Sequence, residues 1–269
     1  MNIKEANVRI FNHTQSQIAK SKLLSESVKQ SIANQKYYTD KDDVGATLGL
    51  HAGRVIVTKS SSFDAARKYN NVCVLNFASA TNPGGGVTKG SSAQEECLCR
   101  CSTLYECLNS EESWKNFYEP HRKHGNALHN DDIIYTPNVY IIKSDSYNNL
   151  YQPKSVNVIT CAAPNLRETP SNAYNHEHGE GVKISDSELF ELHKRRAGKI
   201  LRVAAANGNT NIVLGAFGCG AFRNDPKIVA EAYKSALADY AYMFDTIEFA
   251  VFCKDDTTNY DVFKSVLIG

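Results

Sequence analysis

Two adjacent acids, Glu95 and Glu96, follow a glycine triplet, Gly84 to Gly86, within the stretch NPGGGVTKGSSAQEECLCRCSTLY (82–105). The triplet comes after the apolar run VCVLNFAS (72–79). It precedes a helix predicted over 93–109, whose expected apolar side is Cys97, Cys101, Leu104, Tyr105 and Leu108. Glycines at a strand-to-helix turn let backbone N–H groups approach an anion, and phosphate is the natural guest. A carboxyl group beside a bound phosphate can protonate the leaving oxygen of a glycosidic bond. Adjacent helical residues diverge by about 100°, so the two acids can take different tasks.

A second loop, GAFGCGAFRNDP (215–226), has the same placement after NIVL (211–214) and before another helical pattern. Asp225 suits an N-cap and Pro226 a first helical position. Gly218 and Gly220 leave amides open to a ligand, and Phe222 offers an aromatic face beside them. Two phosphate-sized loops suggest a diphosphate and a nucleotide-like ligand. Neither loop is a familiar fingerprint: VTKGSS has Lys and Gly in the wrong order for a P-loop, and Arg223 stands where a dinucleotide motif needs its third glycine.

The acids also have a purely structural explanation. Ser92 with Glu95 forms a capping-box pattern, and Glu96 can pair with Arg100 at i, i+4. A helix N-terminus and Arg100 would lower a glutamate's pKa, whereas a general acid must hold its proton near neutrality, so burial would have to prevail. Other constellations are weaker. Cys219 has no evident partner histidine for thiol catalysis. His121, His124 and His129 in HRKHGNALH are irregularly spaced for a metal site, and a polar loop is the expectation. WKNFY (114–118) reads as core or lid packing, and HKRR (193–196) as a solvated helix face.

LNFASATNPGGG, a seven-residue spacer, QEE and LCRCSTLYECL, together with VLGAFGCGAFRNDP and FAVF, resemble the microbial-type poly(ADP-ribose) glycohydrolases from about residue 40 to the end, and the N-terminal helical segment is also of the kind that family carries. The resemblance implies a macrodomain fold and cleavage of ribose–ribose O-glycosidic bonds in poly(ADP-ribose), releasing ADP-ribose. It implies Glu96 as the catalytic acid and base, Glu95 as the residue holding ribose hydroxyls, and Gln94 as support for the turn. Gly84, Gly85, Gly86 and Val87 would surround the distal ribose and diphosphate, with Asn82 as a further ribose contact. The amides of Gly218, Cys219, Gly220 and Ala221 would hold the diphosphate and Phe222 the terminal ribose. The resemblance implies neither a metal nor a cofactor. Two alternatives stay open: removal of single ADP-ribose units from protein or nucleic acid, and non-catalytic ADP-ribose binding on the same fold.

These residues need a framework to position them, and the chain's patterning supplies one. Short β-branched runs at 53–59, 72–79, 138–143, 155–163, 211–218 and 246–253 alternate with helical patterns at 63–69, 93–109, 185–206, 226–243 and 259–267. Near-continuous apolar strands imply a sheet covered on both faces. The expected fold is therefore a three-layer α/β/α sandwich with a mixed, mostly parallel central sheet. Residues 1–50 read as a helical accessory segment, with Ile18, Leu23 or Leu24, Val28 and Ile32 at helical spacing, and 51–269 as the macrodomain-like catalytic domain. Stretches 110–137 and 164–184 lack a period and are expected to be insertions or lids.

The 269 residues are 42% apolar and 22% charged, enough for a sizeable core. A formal charge of +1 gives no broad attraction to nucleic acid or anionic membranes, so an anionic ligand must be held locally. No run approaches the roughly 20 apolar residues of a membrane span. The N-terminal sequence lacks signal or transit character, and the eight cysteines fit reduced thiols in a cytoplasmic or nuclear setting. A monomer is expected.

Overall fold

Seven strands form one sheet: β1 (Lys36–Tyr38), β2 (Arg54–Thr58), β3 (Val72–Phe77), β4 (Ile133–Lys143), β5 (Asn149–Cys161), β6 (Asn211–Leu214) and β7 (Thr246–Ala250). Their order in this computed structural model, which describes residues 2–45, 47, 49–171 and 181–269, is β1-β4-β5-β3-β6-β7-β2. The pairings β5/β3, β3/β6, β6/β7 and β7/β2 are parallel, whereas β4 runs antiparallel to both β5 and β1.

Alternation along the strands builds two cores. Cys73 and Leu75 point with Ile212, Leu214, Ile247 and Phe249 toward one face, and Val72, Val74 and Val213 toward the other. Helices α8 (Asp186–Ala206), α9 (Pro226–Tyr240) and α10 (Thr258–Ile268) cover the first face. The second is covered by α3 (Ser62–Ala66), α4 (Gln94–Cys101) and α5 (Leu104–Leu108). The result is the expected mixed, mostly parallel α/β/α sandwich.

The N-terminal residues are woven into this body. Helices α1 (Ile3–Lys20) and α2 (Lys22–Ala33) meet at Ser21, which ends the first and caps Leu24 N of the second. Ile18, Leu24 and Val28 are buried against Cys107 and Ile142, whereas Leu23 points outward. The same segment then supplies edge strand β1, which its sequence did not signal.

Three further features depart from the sequence reading. The helix expected over 93–109 breaks at Ser102, which is extended at φ −150° and bridges Ile141, while Thr103 N donates to Tyr140 O at 3.1 Å. Docking onto β4 outweighs a helical pattern that contains no glycine or proline. In consequence Leu98, Cys99 and Cys101 are buried and Cys97 only partly so. The stretch 110–137 is mostly regular: α6 (Glu111–Ser113), a π-helical turn (Trp114–Tyr118), α7 (Glu119–His124) and the first residues of β4. Strand β4 is kinked by a register shift between Thr136 and Val139, where Asn138 has φ 55°. Of the second expected lid, residues 172–180 lie outside the described residues.

Candidate active site

Parallel neighbours β3 and β6 deliver the two glycine loops, and the chain leaves them toward opposite faces, α4 on one and α9 on the other. A crevice opens where adjacent parallel strands diverge in this way, beyond their carboxyl ends. Phe77 and Phe217, one from each side, meet at 5.6 Å between ring centroids.

Gln94 fastens α4 to the end of β3. Its Oε1 accepts from Phe77 N at 2.9 Å, and its Nε2 donates to Leu75 O at 2.8 Å and Ser62 Oγ at 3.0 Å. The N-cap of α4 is Ala93, with no side-chain cap. The capping box anticipated from Ser92 and Glu95 is therefore not formed, because the Glu95 carboxylate turns inward. Glu95 Oε1 accepts from Asn76 Nδ2 at 3.1 Å and Oε2 from Ser79 N at 2.8 Å. Arg100 likewise turns from Glu96, donating to Ser91 O at 2.5 Å, Tyr147 OH at 3.2 Å and Cys97 Sγ at 3.0 Å. No Glu96–Arg100 ion pair occurs among the described residues.

Both acids are buried, Glu95 being 3% and Glu96 7% exposed. Glu96 Oε1 accepts from Gly86 N at 2.9 Å, while its Oε2 is buried with no hydrogen-bond partner among the described residues. Desolvation raises Glu96 above the ordinary carboxylate range against the Gly86 bond, its own amide and the more distant Arg100 charge. Glu95 is pushed up to about 8, first by desolvation and then by the Glu96 charge, against bonds from Ser79, Asn76 and Gly84. Burial thus outweighs the helix terminus and the cation.

The first loop is shaped around these acids. Gly84 and Gly85 have φ of 65° and 55°. A Cβ on Gly85 would sit 2.7 Å from Glu96 Oε1 and 3.1 Å from Glu95 Oε2, so only glycine lets the turn lie on the pair. Val87 is fully buried beneath it. Asn82 receives Arg122 Nη2 on its Oδ1 at 2.5 Å, and Arg122 Nε donates to Thr81 O at 2.8 Å. The same guanidinium lies 4.7 Å over the Trp114 ring, which ties the π-turn and α7 to the loop.

In the second loop, Cys219 N donates to Ala216 O at 3.1 Å. The amide expected from Cys219 is thus spent within the turn. The N–H groups of Gly218, Gly220, Ala221 and Phe222 have no partner among the described residues. The Cys219 thiol is raised far above its usual range, chiefly by burial, which disfavours the thiolate. Phe222 is half-buried, its ring 6.1 Å from that of His129.

The crevice therefore gathers Glu95, Glu96, Gln94, the first glycine loop and the open amides of the second. It also contains Asn76, Ser79 and Arg122, which sequence reasoning overlooked. Asn76 was detectable as a lone amide within an apolar strand; Arg122 sits in a polar run with no local pattern. His121 and His129 direct Nδ1 at Phe117 O and Ala163 O, and the described residues hold no group of three or more potential metal-binding side chains. No helix among them is long and apolar enough to cross a membrane.

A mixed α/β sandwich with two glycine loops and a buried acid pair between adjacent parallel strands defines a macrodomain-like protein. The model for the microbial-type PARG catalytic domain, PARG being poly(ADP-ribose) glycohydrolase, matches residues 5–144. The chain belongs to this family, and the matched residues take in most of α1 and all of α2, the helical segment of the kind the family carries. Poly(ADP-ribose) glycohydrolase from Thermomonospora curvata is similar at 29% identity and TM-score 0.86, covering 97% of this chain and 99% of its own. The same enzyme bound to the inhibitor ADP-HPD gives 28%, TM-score 0.82 and coverage of 97% and 99%. The Deinococcus radiodurans enzyme in complex with ADP-ribose gives 32%, TM-score 0.76 and coverage of 89% and 96%. No curated protein sequence matches.

Proposed function

We propose that the protein hydrolyses ribose–ribose O-glycosidic bonds of poly(ADP-ribose) and releases ADP-ribose, with Glu96 as general acid and then general base. The observation that carries this reading is the unpartnered, buried Oε2 of Glu96 beside a carboxylate whose two oxygens both face N–H donors. Burial makes both adjacent acids hold their protons more tightly than free carboxyls. Glu96 Oε2, which no protein donor occupies, is the oxygen placed to pass a proton to substrate.

Glu96 delivers that proton to the leaving ribose oxygen as positive charge builds at the anomeric carbon. The resulting carboxylate then takes a proton from water, whose oxygen adds to that carbon, and the acid is restored. Glu95 hydrogen-bonds ribose hydroxyls and fixes the scissile bond. Gly84 to Gly86, Val87 and Asn82 surround the distal ribose. The open amides of Gly218, Gly220, Ala221 and Phe222 hold the diphosphate, with the Phe222 ring against the terminal ribose. Binding of ADP-ribose and ADP-HPD by the two relatives supports this assignment of the loops.

Digestion of a defined poly(ADP-ribose) by wild type and Glu96→Gln, with products separated chromatographically, tests the reading. Wild type should release ADP-ribose. The variant should lose about 10²–10⁴-fold in rate while still binding ADP-ribose by calorimetry. An inactive wild type that binds ADP-ribose would mark a reader, and turnover of mono-modified protein alone would mark the single-unit hydrolase.

A further inference from the structure

The second glycine loop is organised by one side chain that the proposed chemistry does not use. Asn224 is buried, and its Nδ2 donates to Pro164 O at 2.7 Å, Gly218 O at 3.1 Å and Phe222 O at 3.3 Å. Its backbone N also donates to Gly218 O at 3.1 Å. Gly218 and Phe222 bracket the four amides that have no partner, and Pro164 belongs to the neighbouring segment that follows β5. One carboxamide thus pins both ends of the loop and its distance from the adjacent strand. The fit is close: a Cβ on Gly218, whose φ is 80°, would lie 2.6 Å from Asn224 Nδ2.

Three carbonyls around Nδ2 leave the opposite atom, Oδ1, facing His193 Nε2 at 2.8 Å on α8. A carbonyl-type oxygen there requires the hydrogen on Nε2. Burial lowers His193 to about 4, so the imidazole is neutral at working pH and keeps this tautomer. We infer that Asn224, oriented by His193, is a positioning residue that presents the Gly218–Phe222 amides to the diphosphate of ADP-ribose. The inference rests on the proposed function, because it needs that ligand in the crevice. A preorganised N–H cradle binds an anion without paying to rearrange, and it loses that advantage when its ends are released.

Asn224→Asp keeps shape but replaces the donor with an oxygen facing three carbonyls; His193→Phe removes the orienting hydrogen; His193→Gln can restore it. Calorimetric titration with ADP-ribose, well below each variant's Tm, should show Kd rising about ten- to hundredfold for Asn224→Asp and for His193→Phe. It should recover to within about threefold for His193→Gln. Adenosine, which lacks the diphosphate, should bind all four proteins alike by ligand-observed NMR. An ADP-ribose Kd unchanged in both damaged variants, with only Tm reduced, assigns Asn224 to stability alone and overturns the inference while leaving the proposed function standing. Equal weakening toward adenosine and ADP-ribose overturns it too. Absence of ADP-ribose binding by wild type removes the function beneath it, and the inference with it.

Discussion

Glu95 and Glu96 are one peptide bond apart yet differently placed, one hydrogen-bonded at both oxygens and the other left with a bare oxygen. Their pH behaviour follows. Each holds its proton in the folded chain above the 4.5 at which the unfolded chain releases it, Glu95 up to about 8. The stability they contribute is full below about pH 4.5 and is lost as pH rises through the folded values. Glu96→Gln mimics the protonated form and keeps an acceptor for Gly86 N. Urea denaturation should show it gaining more over wild type at pH 8 than at pH 5. An equal gain at both would mean that Glu96 titrates normally. For wild type, kcat should fall as pH rises through the raised range of the two acids, Glu95 standing at about 8. Gly85→Ala places a methyl group against both acids at φ 55°. A loss of about 1–3 kcal/mol in stability is expected, along with at least about tenfold in kcat.

At the scale of elements, α1 clamps the loop that leads into α4. Asn7 Nδ2 donates to Gly90 O at 3.0 Å, Phe11 meets Tyr105 edge-on at 4.8 Å, and Thr14 Oγ1 donates to Arg100 O at 2.6 Å while receiving Lys143 Nζ. Gly90, at φ 80°, has the Lys4 carbonyl where a Cβ would stand. Gly90→Ala should therefore lift α1 from the loop, costing about 1–3 kcal/mol and raising hydrogen exchange along α1 before α8. Exchange that rises evenly throughout would argue against such a clamp. This coupling was invisible in sequence, where residues 1–50 showed only helical spacing. The break at Ser102 and strand β1 were hidden for the same reason: each is fixed by pairing with β4, and no local residue announces it. Asp225 and Pro226, by contrast, signalled the start of α9 through chemistry contained in the turn itself.

Across the whole molecule, the sheet was legible because both its faces are covered, which makes β3, β6 and β7 read as near-continuous apolar runs, interrupted by Asn76 in β3 and Glu248 in β7. The crevice was legible because glycine turns follow two of those strands. What could not be read was the tertiary set around the acids: Asn76 from within β3, Ser79 after it, and Arg122 reaching back from α7. Ligand linkage is a molecular property and gives a further expectation. ADP-ribose at a hundred times its Kd should stabilise the fold by about 2.7 kcal/mol, visible as a concentration-dependent rise in Tm that ribose 5-phosphate at the same concentration does not reproduce.

The most direct measurement is a crystal structure of the protein with ADP-ribose. Glu96 Oε2 should lie about 3 Å from the hydroxyl oxygen on the anomeric carbon, with the diphosphate on the Gly218–Phe222 amides. A distal ribose bound away from Glu96, or a Glu96 side chain rotated into solvent in the complex, would contradict the account.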